Sequence, residues 1–268
     1  MTAVIAPPER GEPAAPAAPP RGSRSRAATS AVAHYGIAPV LAVVTLVVLY
    51  LYVAGRTLDE VEKRSLNRSY ITRRLVQHIE MTVATTILVV LIAVPIGILL
   101  TRPSTRRVAP ILVGVANIGQ AVPSIGVLVL LAVEIGIGTK IAVAAFVLYA
   151  ILPVLRNTMV GLQQVNPAVI ESARGMGMTK AGVLVRIELP LAVPVILAGV
   201  RTALVISVGT VTLATFVNAG GLGDIINNGI TNSRTLVIVT GSVLTAVLAV
   251  LVDWLAGIAE HYLRPRGL

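Results

Sequence analysis

Residues 171–177 read Glu171-Ser172-Ala173-Arg174-Gly175-Met176-Gly177, and residues 187–190 read Ile187-Glu188-Leu189-Pro190. With the polar spacer between them, they form a short charged insert that separates two long apolar runs. One compact charged insert between runs of membrane-spanning length is typical of a membrane protein with a small water-facing surface. The insert therefore predicts an all-α integral membrane protein with one surface element between two of its spans.

The insert carries the signals of two short helices. Asn166-Pro167 predicts a helix start, because Asn caps free backbone amides and Pro suits the first helical position. Gly175 and Gly177 suit the C-cap of that helix, and Thr179 suits the N-cap of a second helix that ends at Pro190. Neither helix is long enough to cross a bilayer, so the pair predicts an αα-hairpin at the membrane surface.

The hairpin has a small apolar face formed by Val169, Ala173 and Met176. An amphipathic connector that lies on lipid would have such a face. The small, protruding and partly apolar turn around Met176 favours instead a surface that another protein binds.

The composition restricts the class of protein. Mean hydropathy over the 268 residues is +0.86, and only 13% of them are charged, which is too few to cover a soluble domain of this length. The net charge of +10 fits positive-inside topology and anionic lipid, whereas 3% aromatic residues argue against a nucleic-acid surface. The absence of cysteine excludes disulfides, thiol catalysis and Cys-ligated metals.

Apolar runs near 20 residues predict about six membrane-spanning helices. The first run, Ala38–Ala54, is too long for a signal-peptide core and lacks a convincing cleavage site, so we interpret it as a retained anchor. The charged segment Arg56–His78 predicts a separate surface or interfacial helix. The five further spans are Met81–Leu100, Val108–Val133, Ile141–Leu162, Leu191–Val217 and Leu236–Ala259.

Composition divides the chain into three parts. Residues 1–30 are rich in Pro, Ala and Ser and predict a disordered cytosolic tail. Residues 31–78 hold the extra N-terminal helix and the charged linker, and residues 79–268 form the main domain, with the hairpin loop at about 163–190. With the tail inside, the short inner loops are basic as the positive-inside rule requires, but the basic outer segment within 55–78 conflicts with that rule.

The span Val108–Val133 contains polar and helix-breaking residues. Pro123 removes a backbone donor, and irregular backbone inside a membrane persists only where protein or a water-filled cavity satisfies it. One interpretation is a kink that serves only the packing of the helices. The polar side chains of Asn117 and Gln120, together with the break at Pro123-Ser124, favour a translocation pathway.

A glycine-rich loop, Asn218-Ala219-Gly220-Gly221-Leu222-Gly223-Asp224, separates the last two spans on the outer side. Glycine lets the backbone turn tightly or approach another chain closely. Gly220, Gly221, Gly223 and Asp224 are therefore candidates for a gate or a docking surface, and the alternative is a re-entrant turn that only packs.

Two opposite charges lie inside the last two spans. The spans run antiparallel, so Arg201 and Asp253 fall at similar depths and predict an intramembrane ion pair. Otherwise Arg201 would extend to lipid phosphate and Asp253 would face water near the interface.

The charged insert resembles the signature loop of permease subunits of bacterial ABC importers, which reads E-A-A, three residues, G, nine residues, I-x-L-P. Here Ser172 replaces the usual second Ala. In that family the loop forms a coupling helix that sits in a groove of the ATPase subunit. The resemblance assigns a coupling role to Glu171, Ser172, Ala173, Gly177, Ile187 and Pro190.

Other motifs resemble the osmoprotectant branch of this family, which imports glycine betaine, choline or related quaternary amines. They are Gln120–Ser124, Leu152–Thr158, Gly175–Met178, Ala219–Gly223 and Asp253. The similarity covers about residues 75–262 and adds Asn157 to the pathway candidates. It implies a type I importer permease fold in the bacterial cytoplasmic membrane, a second permease chain, a separate ATP-binding subunit and an extracytoplasmic substrate-binding protein.

The sequence has no motif of its own for nucleotide binding or catalysis. Gly175–Lys180 lacks the spacing of a phosphate-binding loop, and His34, His78 and His261 have no zinc spacing. We therefore expect no enzymatic activity, no metal and no cofactor, with ATP hydrolysed by a partner. One Trp and two Phe are too few for a tight aromatic cage around a quaternary ammonium, so selectivity is expected in the binding protein.

Two alternatives stay open at this level. A permease for another solute, such as methionine or an inorganic oxyanion, would carry the same signature loop. An ion-coupled secondary carrier would need acidic residues in mid-bilayer, whereas the acids of the spans lie near their ends. These acids are Asp253 and Glu260 at the inner end and Glu80 and Glu134 at the outer margins.

Overall fold

The structure, a computed structural model, describes residues 23–263, with side chains described from residue 36 onward, and contains no strand within that range. The first part of the predicted tail, residues 1–22, and the basic C-terminal residues 264–268 lie outside the described residues. The predicted tail ran to residue 30, but the first helix already begins at Ser23. Eleven α-helices follow one another along the described chain, and five of them are long and apolar enough to cross a membrane.

The first three helices are α1 (Ser23–Ala54), α2 (Glu60–Ser65) and α3 (Arg68–Leu100). The predicted interfacial helix over 56–78 is wrong, because α2 ends at Ser65 and residues 68–78 belong to α3. Two local signals cause this division. Asp59 and Glu62 form a reciprocal capping box at α2, and the Asn67 side chain accepts a hydrogen bond from the Ser69 amide at the start of α3.

The predicted second span of the main domain is broken into α4 (Ala109–Ala121) and α5 (Ser124–Glu134), which meet at 94°. Val122 and Pro123 are extended at the break, as the missing amide of Pro123 requires. The two halves together count as a sixth span, so the predicted number of about six spans is confirmed.

The remaining six helices include the two short helices of the hairpin and the helix that follows the glycine-rich loop. They are α6 (Thr139–Gln163), α7 (Pro167–Gly175), α8 (Lys180–Val183), α9 (Leu189–Val211), α10 (Gly223–Thr231) and α11 (Thr235–Leu263). A π-helical turn, Leu184–Glu188, joins α8 to α9, and a 3₁₀ segment, Thr212–Val217, follows α9. The helix α10 was not predicted.

Helices α3, α6 and α9 form the centre of the bundle. Small residues let them approach closely: a Cβ added at Gly97 would lie 2.8 Å from Thr158, and one at Gly199 would lie 2.7 Å from Asn157. Without a hydrophobic driving force between helices in lipid, such close packing is what holds a membrane bundle together. Helix α1 lies outside this centre and packs mainly on α11.

Most buried hydroxyl groups inside the bundle donate to carbonyls of their own helices, and Thr85 Oγ1 is the exception without a hydrogen-bond partner among the described residues. Thr82, Thr86, Thr158 and Ser207 each donate to the carbonyl four residues earlier. A polar group without a hydrogen bond in hydrocarbon costs roughly several kcal/mol. These local hydrogen bonds avoid that cost for the four hydroxyls.

Candidate functional site

The hairpin is built by its caps. Asn166 Oδ1 accepts from the Ala168 amide at 2.9 Å, and Thr179 Oγ1 accepts from the Gly182 amide at 3.1 Å, as the sequence predicted for both helix starts. At the end of α7, the Gly177 amide donates to Arg174 O and the Met178 amide donates to Ala173 O. This is a Schellman motif, in which the residue after the C-cap has a left-handed conformation, and Gly177 has φ +87°.

The structure changes the predicted roles of the two glycines. Gly175 is the last residue of α7 and Met176 is its C-cap, so Gly177 alone terminates the helix. Packing of Gly177 in the groove of the ATPase subunit, where no larger side chain would fit, stays a prediction. Within this chain a Cβ at Gly177 would meet nothing within 4 Å, so here its positive φ is what favours glycine.

The predicted second helix of the hairpin does not end at Pro190. It continues through the π-helical turn into α9, in which Pro190 is the second residue. The hairpin is therefore attached directly to a membrane-spanning helix. Ile187 and Pro190 are half-buried in this junction.

The outer surface of α7 faces away from the bundle. Met176 is 77% exposed, whereas Ala173 is buried, so the predicted apolar face is divided between solvent and the protein interior. Glu171 and Ser172 are exposed, and Glu171 has no ion pair within the described residues. An exposed carboxylate within α7 and an exposed methionine at its C-cap are suited to binding a second protein.

A partly buried ion pair lies at the base of the hairpin. Arg102, just after α3, places Nη2 2.6 Å from Glu188 Oε2 and Nη1 3.3 Å from Glu188 Oε1. Arg102 Nε also donates to Ile98 O, and Glu188 is only 5% exposed. The two residues are 86 positions apart, so neither was a site candidate in the sequence.

The break between α4 and α5 brings polar groups to α6. Arg156 Nη2 donates to Asn117 Oδ1 at 2.5 Å, and Gln120 Nε2 donates to Tyr149 O at 3.1 Å. Beside them an apolar cavity of about 410 Å³ lies between α3, α4, α5 and α6, with Leu112, Gly119 and Tyr149 in its lining. The other predicted pathway residues are more dispersed: Pro123 is exposed, Ser124 begins α5, and Asn157 packs against Gly199.

The glycine-rich loop folds onto the N-terminal part of α3. Gly220 and Gly221 have φ of +89° and +91°, and a Cβ at Gly221 would lie 3.2 Å from Met81 Cε. Asp224 accepts from Arg74 Nη2 at 2.8 Å. Gly223 is buried against Thr212, at the start of α10.

His78 is fully buried and joins three elements at this loop. Its Nδ1 accepts from the Leu222 amide at 3.2 Å, so its Nε2 carries the proton and donates to Val208 O at 3.0 Å. The position of His78 in the sequence has no zinc spacing and gives no sign of these two contacts. Among the described residues no group of three or more His, Cys, Asp or Glu side chains is placed to hold a metal ion.

The structure brings Arg201 and Asp253 together. Arg201 Nε lies 2.6 Å from Asp253 Oδ1 and Nη2 lies 2.7 Å from Oδ2, which is a bidentate pair between α9 and α11. Glu260 Oε2 lies 3.7 Å from Arg201 Nη1. Gly257 lies between the two acids on α11, and a Cβ there would lie 3.2 Å from the guanidinium, so glycine leaves room for the arginine.

Residues 93–265 match the family of the inner membrane component of binding-protein-dependent transport systems. The chain belongs to this family. It is therefore a multi-pass inner membrane protein and the non-catalytic, membrane-spanning permease component of an ABC transporter. The match includes the hairpin, the glycine-rich loop and the Arg201–Asp253 pair.

Similar proteins cover most of this permease. It is 43% identical over 201 residues to the carnitine transport permease protein OpuCD of Listeria monocytogenes, which corresponds to 74% of this chain and 89% of that protein. It is 40% identical over 192 residues to the choline transport system permease protein OpuBB of Bacillus subtilis, which corresponds to 72% of this chain and 88% of that protein. It is 40% identical over 202 residues to the glycine betaine/carnitine/choline transport system permease protein OpuCD of Bacillus subtilis, which corresponds to 75% of this chain and 87% of that protein.

Solved structures have the same fold. The MetNI methionine ABC transporter in an inward-facing conformation matches 78% of this permease and 100% of its own chain, with TM-score 0.65 and 25% identity. An amino acid ABC transporter matches 77% of this permease and 100% of its own chain, with TM-score 0.63. Its identity of 17% means that this likeness shows the fold alone. The predicted type I importer permease fold is confirmed.

Proposed function

We propose that this permease imports quaternary-amine osmoprotectants such as glycine betaine, carnitine and choline. The observation that carries the proposal is the set of relatives at 40–43% identity over about three quarters of the chain, whose names state these solutes. The methionine transporter has the same fold at 25% identity, so its solute is the less supported candidate. An ion-coupled carrier is not favoured, because the family works with binding proteins.

The proposed assembly contains two permease chains, a pair of ATP-binding subunits and an extracytoplasmic binding protein. The exposed Glu171 and Met176 of the hairpin, on the capped helix α7, form the surface for the ATP-binding subunit. Asn117, Gln120 and the break at Pro123 belong to the pathway. The glycine-rich loop, closed by Gly220, Gly221 and Asp224 onto α3, faces the binding protein.

Uptake by the reconstituted complex tests the proposed solute. The permease is purified with its ATP-binding subunit and binding protein and placed in proteoliposomes that contain ATP. We expect uptake of labelled glycine betaine, carnitine or choline, and no uptake of methionine. Methionine uptake without uptake of any quaternary amine would overturn the proposed substrate class while leaving the permease role intact.

A further inference from the structure

The inner end of α3 is fixed to the hairpin. We call the Arg102–Glu188 ion pair the inner pin. Its two hydrogen bonds of 2.6 and 3.3 Å join the residue two positions after α3 to the last residue of the π-helical turn. Because Glu188 is 5% exposed, its charge depends on this arginine for compensation. A displacement of the hairpin that keeps this pair intact must carry the inner end of α3 with it.

The outer end of the same helix is fixed to the glycine-rich loop. We call the contacts of Arg74 and His78 with Asp224 and Leu222 the outer clasp. The Arg74–Asp224 pair is 2.8 Å long with side chains 21% and 18% exposed, and His78 accepts from the Leu222 amide. A Cβ at Gly220 would lie 2.5 Å from Gln77 Oε1 and one at Gly221 would lie 3.3 Å from His78 Nδ1, and both glycines have positive φ, so a side chain at either position would be strained.

One helix therefore contacts both functional surfaces. Helix α3 has 33 residues, which at 1.5 Å per residue is about 50 Å, enough to cross the bilayer completely. Pro95 lies within it, but Ala93 is fully buried and Gly97 packs on Thr158 of α6, so the helix is supported on both sides of the proline. No break in α3 separates the inner pin from the outer clasp.

We propose that α3 transmits movement between the hairpin and the outer loop, and that Arg102 and Glu188 are the positioning residues that connect it to the hairpin. The proposal rests on the proposed function only in taking the hairpin as the surface for the ATP-binding subunit. It requires no particular solute. Two fixed ends on one continuous helix give the hairpin a physical connection to the outer loop, with a defined residue pair at each end.

The test separates coupling from assembly. Arg102→Gln and Glu188→Gln are introduced singly into the full complex in proteoliposomes, with glycine betaine as the probe solute. ATP hydrolysis is measured with and without liganded binding protein, and uptake is measured in the same vesicles. We expect the ratio of uptake to ATP hydrolysed to fall by about fivefold or more, the usual range of a coupling effect.

Two further variants distinguish positioning from folding. In the reversed pair, Arg102→Glu with Glu188→Arg, the charges can pair again, so we expect part of the lost coupling to return. The control is Arg234→Gln, which makes the same substitution in a different ion pair. Arg234 lies 2.6 Å from Asp59, the two side chains are 40% and 42% exposed, and neither residue belongs to α3. We expect the control to keep the coupling ratio of the unmodified complex.

The two ends are then compared. If α3 transmits movement, Arg102→Gln combined with Asp224→Asn loses no more coupling than the stronger single variant, because either change interrupts the same connection. Multiplied losses, or an unchanged coupling ratio in Arg102→Gln, would overturn the proposal. An unmodified complex that transports no quaternary amine would instead contradict the proposed function. The α3 test would then be run on its ATP hydrolysis stimulated by binding protein.

Discussion

At the scale of single residues, Gly177 determines how helix α7 ends. Its φ of +87° costs a side-chain-bearing residue about 1 kcal/mol, although a Cβ there meets nothing in this chain. We expect Gly177→Ala to weaken co-purification of the ATP-binding subunit while membrane insertion is normal, and Gly177→Asn, which adopts the left-handed conformation more readily, to do so less. Gly175→Ala is the matched control, because Gly175 is helical and equally uncrowded, so equal effects at both positions would contradict this explanation.

A second residue-scale prediction concerns Arg201 and Asp253. Their bidentate contact predicts that Arg201→Ala and Asp253→Ala each lower thermal stability in detergent, while the double variant loses less than the sum. The expected coupling is about 0.5–3 kcal/mol. Glu260→Ala provides the comparison, since Glu260 lies 3.7 Å from the same guanidinium and should couple more weakly. Additive losses for Arg201 and Asp253 would show that the two residues act separately.

Local chemistry made some residue-scale features predictable. Asn166 and Thr179 cap helices two or three residues away, so their roles were visible in short stretches of sequence and are confirmed. The inner pin joins residues 86 positions apart, and His78 joins α3 to two distant segments. Nothing in the neighbourhood of Arg102 or His78 indicates such partners, because only the packing of α3 brings them close.

At the scale of elements, the glycine-rich loop is held in one conformation by α3. Gly221→Val would place a branched side chain at φ +91° against Met81 and His78. We expect reduced uptake and reduced stimulation of ATP hydrolysis by liganded binding protein, with insertion unchanged. Gly209→Val, at a helical glycine with nothing within 4 Å, is the control. Normal uptake and stimulation in Gly221→Val would leave the loop with a packing role alone.

The short helix α2 has a pH-dependent attachment. Hydrogen bonds from the Glu62 backbone amide and from Arg234 lower the pKa of Asp59 below its ordinary value. A lowered carboxyl pKa stabilises the folded state above the ordinary Asp range, and this stabilisation is lost as pH falls through the lowered value. We expect lower amide-exchange protection factors in α2 below about pH 4, and Asp59→Asn to show lower protection factors already at neutral pH.

Element boundaries were harder to predict than the elements. Apolar length correctly indicated the spans, and Pro123 correctly marked the break between α4 and α5. The charged residues of 68–78 were assigned to a surface helix, yet they continue α3, since their charges lie where the helix leaves the membrane. Helix α10 was missed because its nine residues, two of them asparagines, include no apolar run of membrane-spanning length.

At the scale of the molecule, the apolar surface of the broken span requires a neighbour or lipid. Val133 is 77% exposed and Ile118 is 70% exposed. Since the chain has no cysteine, Pro123→Cys gives a single reactive site. We expect oxidation of this variant in the active complex to produce a permease–permease dimer, with a single cysteine at Tyr50 on α1 as the negative control. A purified active complex that contains one permease chain would contradict the two-chain assembly.

Helix α1 has a consequence for biosynthesis. It packs mainly on α11, which begins at Thr235, far along the chain from Ala54. At about 5–20 residues per second, α1 waits roughly 10–40 s in the bilayer before that packing partner is made. Insertion of α1 must therefore depend on its own mean hydropathy, which is 2.5 in Gly36–Ala54. During this interval α1 has no α11 to pack against and is accessible to membrane proteases and chaperones.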